Sequence, residues 1–350
     1  MGMKASASED LASERAPLVD LAERIAAAAA QALGQAAQRG QLSDWGRPVG
    51  RGHADVTFGL DVATEAAVEA WVDEQARIRP LSVFTEDRGW RHRGPGPNGE
   101  ASELDGFDHG GPRIIVDPVD GTRHLMFDLR PAWCIIGQAG PGPDQPYLAE
   151  LEHGVLAELP DTRAACARRL AASKGAGALQ WTVATSRDAS APEPLTVDHD
   201  DRVDHGYFPF YAYHPDVRAA TQTLAGAFFE RLQSEEAATI AHCYDDQYIA
   251  SGGQLALLAL GTYRMVCDPR PLLAARRGRP TQTAKPYDLA GAVLVAREAG
   301  SIVTDLMGSD LNVPLDGRTE VGFCAFHNAA SAARMGPHLQ AALHGLETGR

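Results

Sequence analysis

The sequence predicts a layered α/β protein with mixed sheets. Three observations carry that expectation. Helical and strand-like segments interleave along the 350 residues, but without the strict alternation of a doubly wound sheet. Alanine-rich stretches repeat apolar residues at helical spacing, whereas the strand-like runs are short, β-branched and bounded by Gly, Pro or Asp. The length also suffices for a large core, in one fold or in two packed halves.

Taken in order, the opening MGMKASASED has no apolar centre and is no signal peptide, so residues 1–15 are expected to form a disordered tail. Over 16–38, Leu18, Leu21, Ile25 and Leu33 fall near one face of a helix. Ala67, Val68, Trp71 and Val72 mark a second helix over 64–75. Residues 81–85 read as a strand, and the polar, Gly- and Pro-rich stretch 88–112 as a long loop. Short buried strands are expected at 114–116 and 132–137, and a pair of strands within 147–159. The run SKGAGA lacks the Walker spacing and reads as a surface turn. Residues 190–204 are loop-like, and 219–232 and 253–260 helical. A Pro- and Arg-rich excursion fills 268–284. A helix over 288–299 stops at Gly300, followed by strands at 301–305 and 321–326 and a terminal helix. One fold over 16–345 is expected, with halves of about 16–160 and 161–345.

The formal charge of −14, with no basic stripe to offset it, argues against a nucleic-acid polymer as partner. No apolar run reaches the roughly 18 to 20 residues that cross a bilayer, so no membrane partner is expected. Five scattered cysteines without a CxxC pair fit a reducing cytoplasm and offer no zinc site. The histidines show no HExxH or other ligand spacing. A cytoplasmic protein is expected.

Chemistry concentrates where acids follow strands or open helices. In DPVDGT, residues 117–122, Pro118 fixes its φ and removes a donor, so the chain is expected to turn after Asp117. Such a turn brings Asp117 and Asp120 to one side, and the amides after Gly121 suit a phosphate. A capped Asp–Pro turn fits these six residues as well. Asp288 opens a helix, Glu86 and Asp87 follow a strand, and Asp61 stands near the start of another helix. Each has a plain structural explanation alone. Together they make a set of hard oxygen ligands that repel one another unless cations intervene, which favours Mg²⁺ over zinc or copper.

These segments together resemble the inositol monophosphatase-like superfamily of Mg²⁺-dependent, typically lithium-sensitive phosphatases. DVTFGLDVATE at 55–65, FTED at 84–87, DPVDGT at 117–122 and YDLAGAVLVAREAG at 287–300 carry the resemblance. It implies a five-layered α-β-α-β-α sandwich. It implies that Glu86, Asp117 and the Val119 carbonyl hold one metal and Asp117, Asp120 and Asp288 a second, with a third ion near Glu86. It further implies that Thr122 and Asp61 orient and activate water, with Glu86 completing the catalytic set. Asp120 and the Gly121 and Thr122 amides would meet the phosphate. The implied function is hydrolysis of a small phosphorylated metabolite, a sugar, inositol or related polyol phosphate, without a covalent intermediate. Alternatives are a 3′-phosphoadenosine 5′-phosphate-type nucleotide phosphatase, a fructose bisphosphatase, or a catalytically silent relative that binds metal or phosphate. A homodimer is common among relatives.

The chain departs from the family's pattern after DPVDGT. Arg123 and His124 stand where many members carry a small or polar pair; they either read a second anionic group or lie on the surface. Inositol-type members place a carboxylate a few residues before the last metal aspartate, where this chain has Thr281, Gln282 and Thr283. Either Asp268 serves instead, or the substrate is not inositol phosphate. Arg270, Arg276, Arg277 and Arg279 nearby are either contacts to a second phosphate or a basic surface loop.

Overall fold

The computed structural model describes residues 2–38, 50–51, 56–57, 59–184, 189–236 and 240–348. Helix α1 (Gly2–Gln38) is followed by the two-residue strands β1 (Gly50–Arg51) and β2 (Val56–Thr57), then α2 (Gly59–Ala76). A run of strands comes next: β3 (Leu81–Thr85), β4 (Gly89–Pro95), β5 (Ala101–Glu103) and β6 (Arg113–Asp120). The short α3 (Thr122–Leu125) leads to β7 (Ala132–Ala139), β8 (Leu151–Leu159), β9 (Cys166–Ser173), β10 (Gly177–Ala184) and β11 (Glu193–Leu195). Beyond β12 (His205–Tyr207) lie α4 (Pro215–Glu235), β13 (His242–Tyr244), α5 (Ser251–Ala259) and β14 (Met265–Asp268). The chain closes with α6 (Arg270–Arg277), α7 (Pro286–Ala299), β15 (Ile302–Asp305), β16 (Phe323–Phe326) and α8 (Ala329–Thr348).

Side-chain alternation along the strands explains the layers. In β6, Ile114 and Val116 pack with Leu18, Leu21 and Ile25 of α1 and Val68 and Trp71 of α2. Ile115, between them, faces Leu255 of α5 and Val293 of α7 on the other side. The same device recurs in β14, where Val266 joins the α5–α7 core while Met265 and Cys267 face Phe228 of α4 and Leu339 of α8. Two sheets, each apolar on both faces, therefore separate three helical layers. The large sheet has nine strands in the order β11-β10-β9-β8-β7-β6-β3-β4-β5, and the small one three, β14-β16-β15. The layering is the α-β-α-β-α sandwich expected from the sequence.

Several local expectations are corrected. Residues 2–15, expected as a disordered tail, continue α1 as helix, in keeping with their Ala-, Glu- and Leu-containing composition. The loop expected over 88–112 holds β4 and β5. Their polarity reflects an edge position: Arg93 pairs with Asp73 of α2 at 2.8 Å, and Arg91 pairs with Glu69. Residues 147–159 form one strand preceded by a 3₁₀ turn, Leu148–Glu150, rather than two strands. The excursion at 268–284 contains α6. The large sheet continues to Leu195, past the division expected at 160. Asp55 and Phe58 of the 55–65 motif lie outside the described residues. Among the described residues no helix is long and apolar enough to cross a membrane.

Candidate active site

The site forms where β3 and β6 end side by side. They are the one parallel pair in the large sheet, with Thr85 opposite Val116. The next residue on each strand is an acid, Glu86 and Asp117. The strand does not stop at Asp117, as the sequence suggested; β6 continues to Asp120 and the turn comes at Gly121. Against β7, Asp117 pairs with Ile135 and Asp120 with Trp133, so three steps on β6 match two on β7. That is a β-bulge with one extra residue. Residues three apart on a regular strand point to opposite faces; the extra residue returns Asp117 and Asp120 to the same side. Pro118 has no ladder donor to lose and sits within the bulge.

Gly121 follows at φ 105°, a left-handed conformation open to glycine, and a Cβ there would meet Ala250 at 3.2 Å. The chain then enters α3 at Thr122. The Thr122 hydroxyl lies 2.8 Å from the Val119 carbonyl and 3.2 Å from Asp61 Oδ1. Its single proton serves one acceptor at a time, so engagement of the Val119 carbonyl elsewhere turns it to Asp61. Asp61 itself sits in the first turn of α2.

Asp288 comes from the far side of the large sheet, as the third residue of α7, where its Oδ2 accepts the Lys285 amide at 2.7 Å. Glycines let α7 and α5 approach that closely. A Cβ at Gly291 would stand 2.0 Å from the Ile136 carbonyl oxygen of β7, and one at Gly252 would stand 2.4 Å from the Asp288 carbonyl oxygen. Asp120 is held by the start of α5: Oδ1 accepts from Ser251 N at 3.0 Å and Oδ2 from Gly253 N at 2.9 Å. The sequence reading missed this support, although a Ser-Gly-Gly helix start is its visible signal.

Asp117, Asp120 and Asp288 each offer a carboxylate oxygen, and these atoms all lie within 4.8 Å of one another. Their surroundings show the cost of gathering them. Burial first, and then the charges of Asp288, Asp120 and Glu86, push the Asp117 pKa well above its ordinary value. Asp120 is raised by burial and by Asp288, against the pull of its helix amides. Asp288 is pushed up to about 6, chiefly by burial. Two buried carboxylates and a half-buried one, crowded by Glu86, form a hard-oxygen donor set that suits a cation.

Together these residues line a cleft of ≈ 260 Å³. Asp61, Glu86, Asp117, Val119, Asp120, Gly121, Thr122, Arg123 and Asp288 all reach it. Two residues expected as substrate contacts do not. His124 turns away from the cleft and stacks parallel on Tyr248, with ring centroids 5.8 Å apart, because α3 rotates its side chain away from that of Thr122. Asp268 is fully buried, and both its oxygens accept from Arg270, at 2.8 and 2.6 Å. Of the four arginines near the excursion, Arg270 lines the cleft, whereas Arg276, Arg277 and Arg279 are exposed on or just beyond the end of α6. Tyr211 and Tyr213, which the sequence did not single out, form the wall beside Arg270.

No protein-family model matches the sequence, and no curated protein matches it. Among solved structures, the chain is similar to Thermotoga maritima IMPase, at 15% identity and a TM-score of 0.56 over 94% of this chain and 97% of that one. It is likewise similar to extragenic suppressor protein SuhB from Bartonella henselae, at 17% identity and TM-score 0.58 over 92% and 98%. Inositol monophosphatase II from Staphylococcus aureus matches at 15% identity and TM-score 0.56 over 95% and 98%. Likeness at such low identity concerns the fold alone: this chain has the fold of these inositol monophosphatase structures.

Proposed function

We propose that this protein hydrolyses a small phosphomonoester with the help of Mg²⁺. The observation that carries the reading is the convergence of Asp117, Asp120 and Asp288 beside the Thr122–Asp61 pair. The solved neighbours named as inositol monophosphatases support it as relatives in fold. Hard carboxylate oxygens with a nearby backbone carbonyl suit Mg²⁺, with Glu86, Asp117 and the Val119 carbonyl as one ligand set and Asp117, Asp120 and Asp288 as the other. A third ion near Glu86 belongs to the same reading. Bound there, the cations would supply Lewis acidity, making water a better nucleophile at neutral pH and offsetting charge on the phosphoryl oxygens.

The chain's own residues supply orientation and proton transfer. The Gly121 and Thr122 amides face the phosphate, which sets phosphorus in line with water held at Thr122. The water oxygen forms the new bond to phosphorus as the bond to the alcohol oxygen breaks; the leaving alkoxide takes a proton from solvent water, and Asp61 returns the proton it received to solvent. Thr122 accepts the water's proton while passing its own to Asp61, a relay that needs hydrogen-bond contact of the kind seen here. Thr122 acts as a positioner of water, and no phosphoryl-enzyme forms. The five unpaired thiols accord with the cytoplasm as the site of action.

The test is phosphate release from sugar, inositol and nucleotide phosphates with Mg²⁺ or EDTA. Mg²⁺-dependent turnover is expected, with a loss of at least a thousandfold in Asp120→Asn. Asparagine keeps one of the two oxygens that accept from the α5 amides, so a thermal melt of the variant accompanies the assay to check its fold. Equal rates in EDTA, or an Asp120→Asn enzyme as active as wild type, would refute the reading.

A further inference from the structure

The wall of the cleft opposite the acids has an unusual character for an acidic protein. The carboxylate behind it, Asp268, is sealed: it is 0% exposed and both oxygens are occupied by Arg270. Arg270 is equally buried, lies over the Tyr211 ring at 3.9 Å, and donates from Nη1 to the Tyr213 hydroxyl at 3.0 Å. That hydroxyl in turn donates to Gln282 Oε1 across 3.3 Å, a long bond that a better acceptor can replace. Arg123 lines the same cleft, and its charge reaches the Tyr213 hydroxyl and opposes the rise in its pKa. Lys285 lines it too. Thr281, Gln282 and Thr283 add neutral polar groups to the lining, so with Arg270 paired to Asp268 the charge on this wall comes from Arg123 and Lys285, both cations.

We propose that the phosphomonoester carries a second acidic group on its alcohol part, read by Arg123 and by the Tyr213 hydroxyl that Arg270 holds in place. The inference rests on the phosphatase reading and narrows it. Arg123 supplies the charge that meets the second anion. Arg270 is a positioning residue: the ion pair with Asp268 removes the carboxylate that would repel that anion, and the two tyrosine contacts fix the donor that faces it.

Matched substrate pairs test it with the Mg²⁺-loaded full chain. Fructose 1,6-bisphosphate against fructose 1-phosphate isolates a second phosphate; 3-phosphoglycerate against glycerol 3-phosphate isolates a carboxylate. A tenfold or greater preference in kcat/KM is expected for the diacidic member of at least one pair. Arg123→Gln should cut that preference at least fivefold, mainly through KM, and Tyr213→Phe should also lower it. The exposed Arg276→Gln should leave it unchanged. A preference for the singly charged members, or an Arg123→Gln enzyme weakened equally on both members of each pair, would overturn the proposal while leaving the phosphatase reading standing. Absence of Mg²⁺-dependent turnover on all four would overturn both.

Discussion

Gly291→Ala tests how Asp288, the third aspartate of the proposed metal site, is positioned. The added Cβ would lie 2.0 Å from the Ile136 carbonyl oxygen and 2.7 Å from its carbonyl carbon. Strand β7 is hydrogen-bonded on both sides, to β6 and β8, and cannot give way. Helix α7 must therefore withdraw, by roughly 1 Å to restore ordinary van der Waals contact. Asp288 stands one turn earlier on the same helix face and moves with it, away from Asp117 and Asp120. Overpacking of this kind costs about 1–3 kcal/mol, and alanine's restriction of the unfolded chain returns up to about 1 kcal/mol. A net loss of about 1 kcal/mol lowers the melting temperature by roughly 1.5 °C, at an unfolding entropy of about 2.1 cal/mol/K per residue over the 350 residues. An error of about 1 Å in a reacting constellation costs roughly a hundredfold in rate, and the Mg²⁺ needed for half-activation should rise. Thermal unfolding and Mg²⁺ titration of phosphate release read both effects. Gly226→Ala in α4, whose Cβ would meet nothing within 4 Å, is the control and should be neutral or mildly stabilising. A Gly291→Ala enzyme with wild-type melting and wild-type Mg²⁺ dependence would show that this close approach does not set the position of Asp288.

Asp61→Asn and Thr122→Ala should each lower kcat about a hundredfold with little change in KM, and the double variant should be scarcely worse than either, because the proposed relay needs both. Additive losses in steady-state kinetics would separate their roles. Glu65, buried in α2, has a pKa pushed up to about 7, chiefly by burial. Since the folded value lies above the unfolded one, the fold holds this proton more tightly, and stability falls as pH rises from the unfolded value of 4.5 through about 7. Glu65→Gln should therefore match wild type near pH 4.5 and exceed it at pH 8 by up to roughly 3 kcal/mol. Denaturant melts at the two pH values check the sign, and a Gln variant that is less stable at pH 8 would refute it.

The regular elements were legible because their apolar spacing is local. The strand at Leu81–Thr85 and the helix ending at Ala299 before Gly300 follow directly from period and stop signals. Strands β4 and β5 were not, because their polar side chains are satisfied by partners remote in sequence: Arg93 is balanced by Asp73, which no window over 88–112 contains. The site divides in the same way. Acids at element ends pointed to the carboxylate cluster that Asp117, Asp120 and Asp288 form. The fates of Asp268 and His124 depended on neighbours that only folding supplies. A carboxylate two residues from an arginine does not reveal whether the pair closes on itself, as it does in the buried Asp268–Arg270 bridge. An imidazole two residues past Thr122 does not reveal that Tyr248, more than a hundred residues later, offers it a ring to stack on.

The spacing of DPVDGT has a geometric cause. Carboxylates at i and i+2 of a strand would share a face without help, but both would then belong to the regular ladder, fixed at its spacing. Carboxylates at i and i+3 share a face only through a bulge, and the bulge bends the strand out of the sheet toward the helix layer. That bend lets Asp120 reach the amides of Ser251 and Gly253 while Asp117 stays beside Glu86 at the parallel strand ends. One aspartate is thus tied to the sheet, one to α5, and Asp288 to α7 by its capping bond with Lys285. Because each is held by a different element, none can relieve the mutual repulsion by rotating away without breaking a backbone hydrogen bond. The fold keeps the three carboxylates together, which is the arrangement that the proposed cation sites need.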